Sequence, residues 1–235
     1  MKKYDAVLFD LDGTLLPLDM DEFTSVYFGA LAKYMSPYGY EAKPLISALW
    51  AGVKEMVLND GAVSNDVRFW DKFSELLGQN ILSHREKIDS FYRNEFNAAK
   101  AATKPNPTAK ALTALVREKF GRIVLATNPL FPMDGVKTRL GWIGLSPDDF
   151  EYVTTYENSH YCKPNPKYYT ELAEKLSLTP EHCLMVGNDI AEDGAAAIAG
   201  FDVHIITDCL IGEAADLDSM SHSTFEEFVR IIKAE

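Results

Sequence analysis

Tyr4-Asp5-Ala6-Val7-Leu8-Phe9-Asp10-Leu11-Asp12-Gly13-Thr14-Leu15 is the stretch from which the rest of the chain is best read. Ala6 to Phe9 form a short unbroken apolar run, the pattern of a strand buried on both faces of a parallel sheet. Two aspartates follow it, spaced i and i+2, and then a glycine that allows a sharp turn or a close backbone approach. If the strand runs on through them, both carboxylates share one face. In open α/β sheets function gathers beyond the carboxyl ends of the strands, so these two acids are the first candidates for chemistry.

Moving outward, residues 18–105 change character. Phe23, Val26, Tyr27, Ala30, Leu31 and Tyr34 recur at helical spacing, as do Leu45, Leu49, Val53 and Met56. Ser64 reads as an N-cap for a third helix with Phe69, Phe73, Leu76 and Leu77 on its apolar face. Ser83 reads as the cap of a fourth, carrying Ile88, Phe91, Tyr92 and Phe96. Breaks fall at Pro37-Tyr38-Gly39, Gly61 and Gly78. Thirteen of the chain's 27 aromatics lie in this block, and helical periodicity assigns most of them to its core, with some facing the crevice.

From Pro105 strands and helices alternate. Pro107 opens a helix that Gly121 ends, and Arg122 to Ala126 form a strand. A helix follows over 132–141, then a strand at Tyr152-Val153-Thr154. Asn165-Pro166 opens the next helix, Cys183 to Val186 form a strand, an Ala-rich helix runs to Gly200, and Val203 to Ile206 form a strand. A last helix shows Phe225, Phe228, Val229 and Ile232. The expected fold is therefore α/β, a Rossmann-like, doubly wound parallel sheet with an inserted all-helical cap. Residues 1–17 and 106–235 would form the core and 18–105 the cap.

Composition narrows the function classes. The 235 residues are 47% hydrophobic and 25% charged, as expected of a globular protein with one large domain or one domain carrying an insertion. Lys2 and Lys3 precede only a short apolar run broken by Asp5 and Asp10, which argues against a secretory signal. With no apolar run of membrane-spanning length, a cytoplasmic location without membrane association is expected. Net charge −12, from 23 basic and 35 acidic side chains, disfavours nucleic acid as a partner. Cys162, Cys183 and Cys209 show neither metal-ligand spacing nor a disulfide framework and read as reduced thiols. His84, His160, His182, His204 and His222 show no ligand spacing either.

Four strand ends or adjoining loops carry polar groups toward one crevice: Asp10 to Thr14, Thr127-Asn128, Cys162-Lys163-Pro164, and Asn188-Asp189 with Asp193 beyond. A chance match to Asp-x-Asp-Gly-Thr is roughly 10⁻⁵ per position at ordinary residue usage. On residue chemistry alone the aspartates also fit turn and capping roles, Thr127 a turn before Pro129, and Lys163 a solvated loop position. Asp193 fits a helix cap or a partner that orients Lys163. Asp19 and Asp21 fit a hinge or rim. Lys43, Lys54 and Arg68 are cations that could meet a second anionic group.

With these residues in order, the chain resembles the haloacid dehalogenase superfamily. Asp10 to Thr14 match its first motif, Thr127 its second, Lys163 its third, and Asp189 with Asp193 its acidic fourth. The match runs from residue 4 to about 206, with the helical block where that family places a mobile cap. The resemblance implies a hydrolase of phosphoric monoesters that works through an aspartyl phosphate. Asp10 would be the nucleophile and Asp12 the acid and base. Thr127, Asn128 and Lys163 would bind the phosphoryl group. Mg²⁺ would be held by the Asp10 and Asp189 side chains and the Asp12 carbonyl, with Asn188 and Asp193 in support. Many relatives have an acid where Asn188 stands, so the metal ligand moves to Asp189. The expected substrate is a small phosphorylated metabolite, and the expected state a monomer or weak homodimer. A phosphomutase of the same family and a catalytically silent phospho-ligand-binding regulator fit the same residues. Carbon–halogen hydrolysis fits poorly, because those relatives lack the second aspartate. No glycine-rich dinucleotide motif or Walker A sequence occurs.

Overall fold

The computed structural model describes residues 4–234. Lys2 and Lys3, which bear on the secretory signal, lie outside the described residues. Within them, β1 (Ala6–Phe9), β2 (Arg122–Leu125), β3 (Tyr152–Val153), β4 (Cys183–Gly187), β5 (Asp202–Ile206) and β6 (Ser221–Ser223) form one parallel sheet in the order β3-β2-β1-β4-β5-β6. The chain builds outward from β1 to β2 and β3, then returns to place β4 on the other side of β1. This reversal of direction opens a crevice at the carboxyl end of β1.

Alternation along β1 divides the core. Val7 and Phe9 join the apolar cluster on one face, while Ala6 and Leu8 join Tyr168, Tyr169 and Leu172 on the other. Four helices cover the sheet: α5 (Thr108–Phe120), α6 (Met133–Trp142), α7 (Pro166–Leu176) and α8 (Phe225–Ala234). To keep labels in chain order, the helices inserted between β1 and β2 are α1 (Met20–Met35), α2 (Ala42–Val57), α3 (Asn65–Leu77) and α4 (Arg85–Arg93). Asp19 caps α1 by accepting from Glu22 N at 2.9 Å, and Phe23, Tyr27, Leu31 and Met35 bury one stripe of it.

The segments that enter and leave the helical insertion run side by side. Leu18 bridges to Thr103, Lys104 N donates to Pro17 O at 2.8 Å, and Asp19 N donates to Ala102 O at 3.2 Å. Aromatic rings join the insertion to the core. Phe131, from the loop before α6, lies against Phe23, Tyr27, Tyr92 and Phe96, and Tyr156 meets Phe69. Among the described residues no helix is long and apolar enough to cross a membrane.

Several local expectations need correction. Ser64 holds the N-cap position of α3, but its hydroxyl donates to Asp66 instead of closing the cap. Ser83 caps nothing: it lies in a 3₁₀ segment, Gln79–His84, and α4 starts after it. Phe96 belongs to another 3₁₀ stretch, Glu95–Ala102, and the Ala-rich segment Gly194–Ala199 is also 3₁₀. Strand β6 has no counterpart in the sequence pattern, since Ser-His-Ser is polar and only three residues long. Finally, β1 ends at Phe9, so the regular-strand argument for a shared face of Asp10 and Asp12 does not apply.

Candidate active site

The centre of the site is a buried triad of charges. Lys163 Nζ donates to Asp10 Oδ1 at 2.9 Å and to Asp193 Oδ1 at 2.6 Å. Lys163 and Asp193 are each 1% exposed and Asp10 is 7% exposed. The other oxygen of Asp193, Oδ2, accepts from the amides of Asn188 at 2.9 Å and Asp189 at 3.0 Å. Asp193 thereby fixes the loop after β4 and the lysine together. Gly187 makes this packing possible, because a Cβ there would collide with the Asp193 carboxylate.

Two carboxylates share one ammonium, and the surplus negative charge falls on Asp10. Burial pushes its pKa up to about 8, against the pull of Lys163 and with the added repulsion of Asp193 and Asp12. Burial by itself would pull Lys163 down, but Asp10 and Asp193 outweigh it and hold the ammonium well above its usual value. Oδ1 of Asp10 is engaged by the lysine. Oδ2 has only a long contact, 3.4 Å, from Thr14 Oγ1.

Asn188 is a brace between the first and fourth strand ends. Its Oδ1 accepts from Thr14 Oγ1 at 3.0 Å and its Nδ2 donates to Cys209 O at 2.7 Å. Gly13 adopts φ +86°, and a Cβ there would strike the Asn188 side chain, so glycine is required twice over. Asp189 Oδ1 accepts from the amides of Ala191 at 2.8 Å and Glu192 at 2.9 Å. Thr127 is buried just past β2, and its carbonyl accepts from Thr154 Oγ1 at 2.7 Å and Tyr168 OH at 3.0 Å.

Asn128 stands beside Thr127, but its side chain is spent on the scaffold. Its Oδ1 accepts from Lys163 N at 3.2 Å, and its Nδ2 donates to Glu192 Oε1 at 2.9 Å. In this arrangement the amide holds the Lys163 loop. Burial pushes Glu192 itself up to about 7, against the pull of Lys163.

Sequence reasoning missed Arg139. This α6 residue is fully buried, donates from Nη1 to Asp12 Oδ2, and stacks with its Cζ 4.1 Å from the Phe131 ring centroid. One oxygen of Asp12 is thus held by a guanidinium. The signal was present: Arg139 sits three residues after Val136 and next to Leu140, on the apolar stripe of its helix. A polar opening of about 580 Å³ lies beside Asp12 and Gly13, with Asp19, Asp21 and Lys104 on its rim. A second cavity, about 150 Å³ and aromatic, lies between the insertion and the core, lined by Phe23, Tyr27, Trp70, Tyr92, Phe131 and Tyr156 among others. Arg68, one of the three cations considered for an anionic group, pairs with Asp60.

Residues 4–200 match the model of the haloacid dehalogenase-like hydrolases, and the chain belongs to that family. It is 25% identical over 207 residues to the putative phosphatase YhcW of Bacillus subtilis (strain 168), across 88% of this chain and 85% of that protein. Solved structures agree on the fold. The 2-haloacid dehalogenase of Pseudomonas syringae pv. Tomato DC3000 superposes with TM-score 0.63 at 18% identity, across 100% of this chain and 99% of that one. The putative HAD-hydrolase YfnB from Bacillus subtilis, bound to magnesium, superposes with TM-score 0.57 at 18% identity, across 98% and 99% of the two chains.

Proposed function

We propose that this hydrolase is a Mg²⁺-dependent phosphatase that removes the phosphoryl group from a small phosphomonoester through an aspartyl phosphate on Asp10. The observation that carries this reading is the buried Asp10–Lys163–Asp193 triad with a second aspartate beside it. With Oδ1 of Asp10 engaged by Lys163, Oδ2 is the oxygen left to attack phosphorus. The P–O bond to the leaving group breaks as the Oδ2–P bond forms, and Asp12 gives its proton to the departing oxygen. Water then attacks the acyl phosphate, Asp12 takes the proton, and inorganic phosphate leaves with the Asp10 carboxylate restored. Lys163 and the Thr127 hydroxyl would neutralise and orient the phosphoryl oxygens.

The donor chemistry fits a hard divalent cation. The site offers oxygens only, and its buried negative charge exceeds the positive by one. Among the described residues no three His, Cys, Asp or Glu side chains already converge. By the family resemblance the protein share would be Asp10, Asp189 and the Asp12 carbonyl, the modest share usual for Mg²⁺. When bound, the ion supplies positive charge against the phosphoryl oxygens and favours the ionised form of Asp10.

Asp12 also separates this reading from carbon–halogen cleavage. A halide departs without a proton, whereas an alkoxide leaving group needs one, and Asp12 is the residue to which this reading gives that role. The 25% identity to a putative phosphatase points the same way. The test is an acid quench of enzyme turning over an aryl phosphate with Mg²⁺, followed by peptide mass mapping. Phosphate on the peptide bearing Asp10, absent in Asp10→Asn, is expected. Turnover with no phosphopeptide and full activity of Asp10→Asn would overturn the reading.

A further inference from the structure

Arg139 is a fully buried cation for which the phosphatase chemistry above has no use. Its Nη1 donates to Asp12 Oδ2 and its Nε to Gly135 O at 3.3 Å, while Phe131 covers its face. Nη2 is left without a partner, and so is Asp12 Oδ1. Among the described residues these are the two buried side-chain polar atoms in that state. Leaving a buried donor of a charged group unpaired is costly, so an acceptor that arrives from outside is strongly favoured there.

The position identifies what that acceptor belongs to. Asp12 serves the departing oxygen, so the leaving group must pass beside Asp12, and Arg139 is the cation bonded to Asp12. On its other side, Arg139 rests on Phe131, a wall of the aromatic cavity under the helical insertion. The same Phe131 ring packs against Tyr27 and Tyr92, two more lining residues. The guanidinium therefore has the acid that serves the leaving group on one side and, beyond the Phe131 ring, an apolar space able to hold its body. Arg68, which pairs with Asp60 a third exposed, has no comparable placement.

We propose that Arg139 is a specificity residue that pairs with a second anionic group on the substrate, a carboxylate on a leaving group whose apolar part enters the aromatic cavity. The proposal rests on the reading of Asp10 and Asp12 as a phosphatase site. The substrate class is accordingly a phosphorylated organic acid. The planar fork of arginine suits a carboxylate, which can accept from Nη2 without displacing Asp12 from Nη1.

Binding of non-hydrolysable phosphonates tests this apart from turnover. Propylphosphonate and 3-carboxypropylphosphonate would be titrated calorimetrically into the wild type, Arg139→Lys and Arg139→Met, all with Mg²⁺. The wild type is expected to hold the carboxylated ligand about tenfold tighter or more. In Arg139→Met that gap should fall within about twofold, whatever the change in propylphosphonate affinity, and Arg139→Lys should lie between. Equal affinity of the wild type for the two ligands, including none for either, overturns the proposal, as does a gap that survives in Arg139→Met. If Arg139→Met does not fold, the wild type and Arg139→Lys decide it. Phosphate release is read separately: a preserved affinity gap without turnover would sink the phosphatase reading and leave the anionic subsite standing.

Discussion

The triad around Lys163 makes an asymmetric prediction: of its two aspartates, one stabilises the fold and the other strains it. Asp193 accepts from Lys163 and from two backbone amides. In Asp193→Asn the single amide oxygen serves one of those groups, and the NH₂ faces donors on the other side. Two charge-assisted hydrogen bonds at about 1.5 kcal/mol each put the loss on the order of 3 kcal/mol. For a chain of this size that lowers Tm by roughly 6–12 °C. Asp10 behaves in the opposite way. Its folded pKa, about 8, lies above the ordinary 3.8, so its contribution is full below the lower value and is lost as pH rises through the higher. At pH 7 the ionisable carboxyl therefore costs on the order of 4 kcal/mol in the metal-free protein. Asparagine removes that cost and gives up one hydrogen bond to a charged donor, about 2 kcal/mol. Metal-free Asp10→Asn should thus be about 2 kcal/mol more stable than the wild type at pH 7, and the gain should be gone by about pH 5. Urea unfolding in chelator, at both pH values, measures this. Equal destabilisation by both substitutions, or a gain in Asp10→Asn that ignores pH, would refute the charge assignment.

Three other outcomes follow from the same structure. Millimolar Mg²⁺ should stabilise the wild type by about 2.7 kcal/mol at a hundred times Kd, and the accompanying rise in Tm should vanish in Asp10→Asn and Asp189→Asn, as scanning fluorimetry can check. His204 is buried between Ser221 Oγ at 2.7 Å and Ser223 Oγ at 2.8 Å, and burial lowers its pKa to about 4. Its folded value lies below the unfolded 6.5, so stability is intact above 6.5 and falls with pH toward 4, by about 3 kcal/mol; urea midpoints should show that loss, and His204→Gln should flatten it. Gly187→Ala forces a methyl into the Asp193 carboxylate and should cost at least about 2 kcal/mol with loss of activity, measured by melting and by phosphate release.

The parts of the fold that were legible are those where burial writes itself into the sequence. Ala6 to Phe9 and Cys183 to Gly187 are wholly buried, so their runs are apolar and read directly as strands. β6 is a largely exposed edge strand, and its Ser-His-Ser carries no such pattern. Gly194–Ala199 is built from small residues between Gly194 and Gly200, and composition does not distinguish a 3₁₀ turn sequence from an α-helix there.

At the site, chemistry-bearing residues beside strand ends were legible because their types are unusual in such places. What they bond to was not. Asn128 reads from the sequence as a phosphate donor, and in the structure its amide bonds Lys163 N and Glu192. Arg139 is remote in sequence from every motif and reaches Asp12 only because α6 packs its apolar stripe inward. The contact is a product of helix packing, which no local spacing encodes.

The central claim is tested most directly by phosphate release from a panel of phosphomonoesters and an aryl phosphate, run with Mg²⁺, with chelator, and with Asp10→Asn. Release that needs both Mg²⁺ and Asp10 is the expected result. Folded, Mg²⁺-binding protein that releases no phosphate from any of them, or releases it equally well as Asp10→Asn, would contradict the account.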